Sequence, residues 1–177
     1  MYLLLLLFLV PTPCPSAFTQ KTKPVIFSGD LNVAHLDSDI WNPTAKHIAK
    51  SAGTTPQERS SFSTLLGCGF TDSLRHFYPD AKGQFTYWSQ RANGRPVNRG
   101  LRLDYFVCSN DLFDSAKGSG MGDSSSGSGS SSSSSSGNRK RSAAEVSGVA
   151  RIVDSFILVD DTLGYSDHAP VVLILQV

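Results

Sequence analysis

Short apolar runs, each bounded by polar or glycine-containing text, constrain the fold of this chain more than any other feature. Val25-Ile26-Phe27-Ser28 ends at Gly29, and Leu103 to Cys108 carries a single acid, Asp104. Phe85 to Ser89, Ile152 to Val159 and Val171 to Leu175 complete the set. Runs of this length, rich in β-branched and aromatic residues, read as strands. Thr55-Pro56-Gln57-Glu58 reads as a helix start: Thr55 can cap, Pro56 fits the first helical position, and Glu58 can reach back to close a capping box. Phe62, Leu65 and Leu66 then share one helical face before Gly67 and Gly69 stop the helix. Strands interleaved with a helix and long irregular loops predict a layered α/β domain.

With 177 residues, 40% of them hydrophobic, the chain can build one sizeable core. A net charge of +1 excludes a strongly basic nucleic-acid coat protein but leaves room for a local basic patch. Cys14, Cys68 and Cys108 are scattered without C-x-x-C spacing, which argues against a disulfide scaffold or zinc site and favours a reducing compartment. Tyr2 to Val10 is wholly apolar. Nine helical residues rise only ~14 Å, too short for a hydrocarbon core of about 30 Å, so no stable membrane insertion is expected. Three readings stay open for this segment: a signal-peptide core lacking its basic flank, a buried element, or a mis-started gene product. Residues 1–23 are therefore set apart from a domain over 24–177. Ser115 to Ser142, dominated by Ser and Gly, has too few apolar side chains to offset its ordering entropy and is expected to be a disordered insert. Asn138-Arg139-Lys140-Arg141 fits a nuclear-localisation signal or, more plainly, a basic solubilising flank.

Three motifs put polar groups at strand ends. Gly29-Asp30-Leu31-Asn32 follows a strand, and period-two alternation would aim Asp30 and Asn32 to one side. An acid and an amide so placed can share a phosphate, although both are also ordinary turn formers. Ser166-Asp167-His168 precedes the strand Val171 to Leu175 and offers a proton-transfer pair, a metal neighbour or a simple strand cap. Asp104, embedded in an apolar run, needs a partner. His168 is the candidate, with an ion pair to Arg102 or Arg99 as the alternative. Between Arg75 and Arg102, six basic residues accompany a single acid, Asp80, together with Tyr87 and Trp88; this suits a phosphate backbone or a solvated face.

Together these motifs resemble the endonuclease/exonuclease/phosphatase superfamily. Gly-Asp-Leu-Asn-Val-Ala-His (29–35), Asn42-Pro43, Thr-Pro-Gln-Glu-Arg (55–59), Asp72-Ser73 with Arg75-His76, Thr86-Tyr87-Trp88, Arg-Leu-Asp-Tyr-Phe (102–106) and Ser-Asp-His (166–168) are similar to the exonuclease III-type apurinic/apyrimidinic endonucleases. The resemblance implies half of a four-layer α/β sandwich and Mg²⁺-dependent hydrolysis of DNA 5′ to abasic sites, with Mn²⁺ as a substitute. It implies catalytic roles for Asp30, Asn32, Asp104 and His168, and metal contacts from Asp30, Asn32, Asp167 and His168. Tyr87, Leu101 and Leu103 match the wall of a pocket for a flipped, baseless sugar. Contacts to double-stranded DNA are implied for Tyr87, Arg91, Arg95, Asn98, Leu101 and Arg102. A nuclear, monomeric repair enzyme follows.

The chain departs from that pattern in two places. Relatives often have Trp where Leu101 stands, and residues 1–24 contain no Glu, Asp or Asn to match the metal-binding Glu and early Asn of the family. A truncated product is expected, with an uncovered apolar sheet face and doubtful activity on its own. A non-catalytic DNA-binding remnant and a secreted phosphodiesterase or nuclease are the competing readings.

Overall fold

A computed structural model describes residues 23–113 and 150–177. Strand β1 (Ile26–Asp30) is followed by helix α1 (Pro56–Gly67), strand β2 (Phe70–Asp72), the single-turn helix α2 (Ser73–Phe77) and strand β3 (Asp104–Ser109); β4 (Arg151–Ile157) and β5 (Val171–Gln176) close the chain. The strands form two antiparallel sheets, one in the order β1-β3-β2 and one a β4-β5 pair. The predicted disordered insert lies outside the described residues, as do the apolar N-terminus and the basic tetrapeptide.

Helix α1 starts where the sequence predicts. The Thr55 hydroxyl accepts from the Glu58 amide at 3.3 Å, and the Glu58 carboxylate accepts from the Thr55 amide at 3.0 Å. Phe62 and Leu65 are buried against Val33, Phe70, Tyr105 and Val107, with Phe27 packed at the margin. Each such side chain contributes roughly 1.5–3 kcal/mol by leaving water. Directly paired residues of an antiparallel ladder share a face. Phe27 pairs with Val107, so both point toward α1.

The opposite face of β3 carries Asp104, Phe106 and Cys108. Cys108 is fully buried with Leu112, Phe113 and Ile152, and Phe106 and Leu173 pack against them. The second sheet therefore lies across β3 from α1, giving a helix-sheet-sheet stack as the layered α/β reading requires. The Ser73 hydroxyl meets that of Ser155 at 2.7 Å, pinning α2 to β4. Toward the β1 edge this inner face is open, with Ile26 37% exposed.

The run Phe85 to Ser89 is not a strand. It is held by isolated bridges from Tyr87 to Leu101 and to His168, with backbone hydrogen bonds at Thr86 and Trp88 that do not extend into a ladder. Aromatic and β-branched content satisfied the sequence pattern, whereas pairing did not extend. The three-residue β2, preceded by Gly69, is too short to register as an apolar run.

Candidate active site

Asp30 ends β1 and Asp104 begins β3, and the two are direct register partners. Both side chains therefore project from the same face at the same end of the sheet. The Asp104 Oδ2 lies 2.8 Å from Nδ1 of His168, the pairing predicted from a carboxylate embedded in an apolar strand. The alternative partners are otherwise engaged or unpaired with it. Arg102 is ion-paired with Asp39 and Asp72, and Arg99 stacks on Trp41. Burial raises the Asp30 carboxyl above its usual range, outweighing the Asn32 amide that lowers it, and the Asp104 charge pushes it further up.

Asn32 reaches this neighbourhood by a route different from strand alternation. Its backbone is left-handed, at φ 51°, and its amide donates to Asp30 Oδ1 at 2.8 Å. An Asx turn thus bends the chain straight after β1. Gly53, at φ +82°, lies against this turn, and a Cβ there would sit 2.8 Å from the Asn32 carbonyl oxygen.

A buried threonine, quoted in the sequence only within Thr86-Tyr87-Trp88 and given no role there, joins the pieces. The Thr86 hydroxyl accepts from the amides of Leu103 at 2.8 Å and Asp104 at 3.0 Å, and its carbonyl accepts from Ala169 at 2.7 Å. The Trp88 amide donates to the Asp167 carbonyl at 2.9 Å. Thr86-Tyr87-Trp88 is thus a strap between the Asp104 strand and the His168 loop. Tyr87 stacks beside His168 with ring centroids 5.0 Å apart, and Leu101 bridges Tyr87 on one side and Ile40 on the other. Leu103 is buried beneath them with Ala34, Ile40 and Ile48. The polarity of Thr86 and its place two residues after Gln84 gave no sign of this; only the three-dimensional return of two distant segments does.

Several expected DNA contacts are spent inside the fold. Arg102 is 1% exposed, donating to Asp39 at 2.8 Å and to Asp72 at 2.5 Å, so it cannot reach a phosphate. Arg75 joins the same cluster through Asp39. Arg95 donates to the carbonyls of Val159, Thr162 and Ser166 and stacks 4.7 Å over Trp88; it clamps the loop leading to His168. The Asn98 side chain holds Trp88 Nε1 at 3.0 Å and the Gly83 carbonyl at 3.0 Å. Of the expected contact residues, Arg91 is exposed, Tyr87 is half-buried beside His168, and Leu101 is half-buried beside Tyr87.

Among the described residues, no group of three or more His, Cys, Asp or Glu side chains converges to hold a metal ion. Asp104 occupies His168 Nδ1, and the Ser166 hydroxyl accepts from the His168 amide at 3.0 Å. Mg²⁺ commonly takes one or two carboxylates and keeps several waters. The partly desolvated Asp30, whose Oδ1 accepts from the Asn32 backbone amide, is chemically suited to one such position.

Residues 16–168 match the sequence profile of the Endonuclease/Exonuclease/phosphatase family. The chain belongs to this family. It is 54% identical over 104 residues to a DNA-(apurinic or apyrimidinic site) endonuclease of Dictyostelium discoideum, a stretch covering 57% of this chain and 28% of that protein. An exodeoxyribonuclease of Bacillus subtilis (strain 168) is 50% identical over 93 residues, covering 52% of this chain and 36% of the relative. The chain thus spans about a third of the length of these relatives. Among solved structures, the AP endonuclease LMAP from Leishmania major superposes with a TM-score of 0.57 at 32% identity, over 84% of this chain and 34% of that one. The 3′-5′ exonuclease NExo from Neisseria meningitidis shares the fold, with a TM-score of 0.61 over 92% of this chain and 48% of that one. The family is one of hydrolases that use divalent metal ions, and the α/β architecture agrees with it.

Proposed function

We propose that this chain forms part of a Mg²⁺-dependent DNA hydrolase that cuts the phosphodiester bond 5′ to an abasic site. The observation that carries the reading is the 2.8 Å contact between Asp104 and His168, with Asp30 register-paired to Asp104. Asp104 orients the imidazole through Nδ1, so the other ring nitrogen is the one offered to a phosphate oxygen. Asp30, with its carboxyl raised by burial, suits proton transfer at the attacking water or the leaving group. Asn32 supplies a neutral donor toward charge developing on phosphorus. Mg²⁺, or Mn²⁺ in its place, supplies neutralisation of the phosphate oxygens when bound. Asp30 and Asn32 are the residues of this chain that would hold it, and Asp167 contributes from the rim. Tyr87 and Leu101 form an apolar wall beside His168 for the baseless sugar, and Arg91 meets the backbone. Similarity to the apurinic-site endonuclease of Dictyostelium discoideum supports abasic DNA as the substrate. A nuclear, monomeric enzyme is the corollary. Among the described residues no helix is long and apolar enough to cross a membrane.

The test is an oligonucleotide duplex with one tetrahydrofuran site, incubated with Mg²⁺ and with EDTA. Because the chain spans only about a third of the length of its relatives, chain 1–177 alone is expected to incise no faster than its Asp30→Ala variant. Supplying the part of the relatives that this chain does not span, fused or in trans, restores Mg²⁺-dependent incision. No incision from the completed domain would overturn the enzymatic reading. Robust incision by the unaided chain, lost in Asp30→Ala, would overturn only its dependence on further ligands.

A further inference from the structure

A second concave surface lies beside the segment that carries Leu101. Its volume is about 440 Å³, and Trp41, Lys82, Phe85, Val97 and Arg99 are among the residues that line it. Ile40 bridges Leu101, and the Trp41 amide donates to the Gly100 carbonyl at 3.1 Å, so the groove is built directly onto the Leu101 turn. Gly100 permits this closeness: a Cβ there would meet the Trp88 indole nitrogen at 2.6 Å.

The groove's chemistry is specific. The Trp41 indole is 41% exposed, whereas the chain's other tryptophan, Trp88, is 2% exposed. Trp is ordinarily well buried, so an open ring at a groove is informative. The Arg99 guanidinium stacks 5.1 Å from the Trp41 ring. Among the described residues, neither Arg99 nor Lys82 has a carboxylate partner. The one acid at the rim, Asp37, is already neutralised by Arg59 at 2.7 Å. An open aromatic ring, a guanidinium plane extending the stack and a free ammonium together complement a planar ring that carries negative charge. Stacking on aromatic and Arg planes with cationic backbone contacts is how single nucleic-acid strands are held.

We infer that the Trp41–Arg99 groove binds an unpaired nucleotide of a DNA strand, the base stacking on Trp41 and the phosphate meeting Arg99 and Lys82. The choice of DNA as the polymer rests on the proposed function; the need for a stacked anion comes from the groove itself. The groove gives this chain a strand-holding site separate from Asp30, Asp104 and His168.

Tryptophan emission of chain 1–177 titrated with a 12-residue oligothymidylate in EDTA and low salt tests this. Emission is expected to be quenched on binding, and the quench disappears in Trp41→Phe, leaving only buried Trp88 to report. By anisotropy of a labelled strand, Trp41→Ala weakens binding roughly tenfold. Arg99→Gln lowers the slope of log affinity against log salt by about 0.7. Far-UV circular dichroism confirms that both surface variants fold. Unchanged affinity in Trp41→Ala and Arg99→Gln overturns the inference. So does equal quenching by polyglutamate of matched charge, which would mean charge alone, or by thymidine monophosphate at equal nucleotide concentration, which would mean a mononucleotide site. Asp104→Asn separates this from the function proposed above: it abolishes incision by the completed domain and leaves the quench intact. Quenching without incision in any completed domain sinks the enzymatic reading alone; incision without quenching sinks the groove alone.

Discussion

Asp39 has no exposed surface, yet it accepts hydrogen bonds from Arg75, from Arg102 and from the Leu36 amide. Burial pushes its carboxyl upward, but the Arg102 charge and these hydrogen bonds outweigh burial and hold it below the usual carboxylate range. Removing one partner of such a cluster strands the others, and Asp39→Asn is expected to cost about 3–5 kcal/mol at pH 7. The sign with pH follows from linkage. A carboxyl lowered by folding contributes stability above its unfolded value, near pH 4, and that contribution is lost as pH falls through the lower folded value. Urea unfolding of wild type and variant at pH 7 and pH 3 should therefore show a gap that narrows in acid; an equal gap at both would reject the charge explanation. The same residues mark what a sequence can and cannot disclose. Asp104 was legible because an acid inside an apolar run requires a partner, and His168 was the histidine at a strand mouth. Arg102 was not, because six basic residues share its stretch and the carboxylates that claim it lie 63 and 30 positions away.

Among the secondary-structure elements, α1 was written most plainly, since its signals are local: a cap, a proline, a return contact and one apolar face. Thr55→Ala removes the hydroxyl that accepts from Glu58 and should lower stability by about 1 kcal/mol. Thr55→Ser should keep most of it. Thermal melts of the two variants check this, and equal loss in both would mean that the methyl, not the cap, matters. Elements defined by their neighbours were less visible. Phe85 to Ser89 has strand composition but only single-residue pairing, while β2 has pairing without a recognisable run. Arg95 belongs to this scale too. A guanidinium expected on DNA instead gathers the carbonyls of Val159, Thr162 and Ser166, ordering a loop that lacks secondary structure of its own.

At the scale of the whole molecule, α1, the three-stranded sheet and the β4-β5 pair form layers, as the strand and helix pattern anticipated without giving their order. Which strands share a sheet was not legible, because pairing partners are set by long-range closure. Phe113 and Ala150, which flank residues 114–149, join one apolar cluster with Leu112 and Ile152. The two ends of that connection are thus already held together by the core. Deleting 115–142 should leave the melting temperature at or slightly above that of the full chain, since a shorter connection lowers the closure entropy by only about 1 kcal/mol. A large drop would show that those residues contribute packing.

The register of β1 on β3 has a consequence for how a lineage of such chains can vary in length. Asp30 and Asp104 face one another because five consecutive residue pairs, from Ile26 with Cys108 onward, fix the ladder. Inserting or deleting one residue inside either strand turns a carboxylate over to the α1 side. Between the strands, loops can lengthen or shorten without moving the pair, provided the chain returns to the same ladder. Length changes should therefore be purged within Ile26–Asp30 and Asp104–Ser109 and accumulate in the connections, with 114–149 the longest interval open to them.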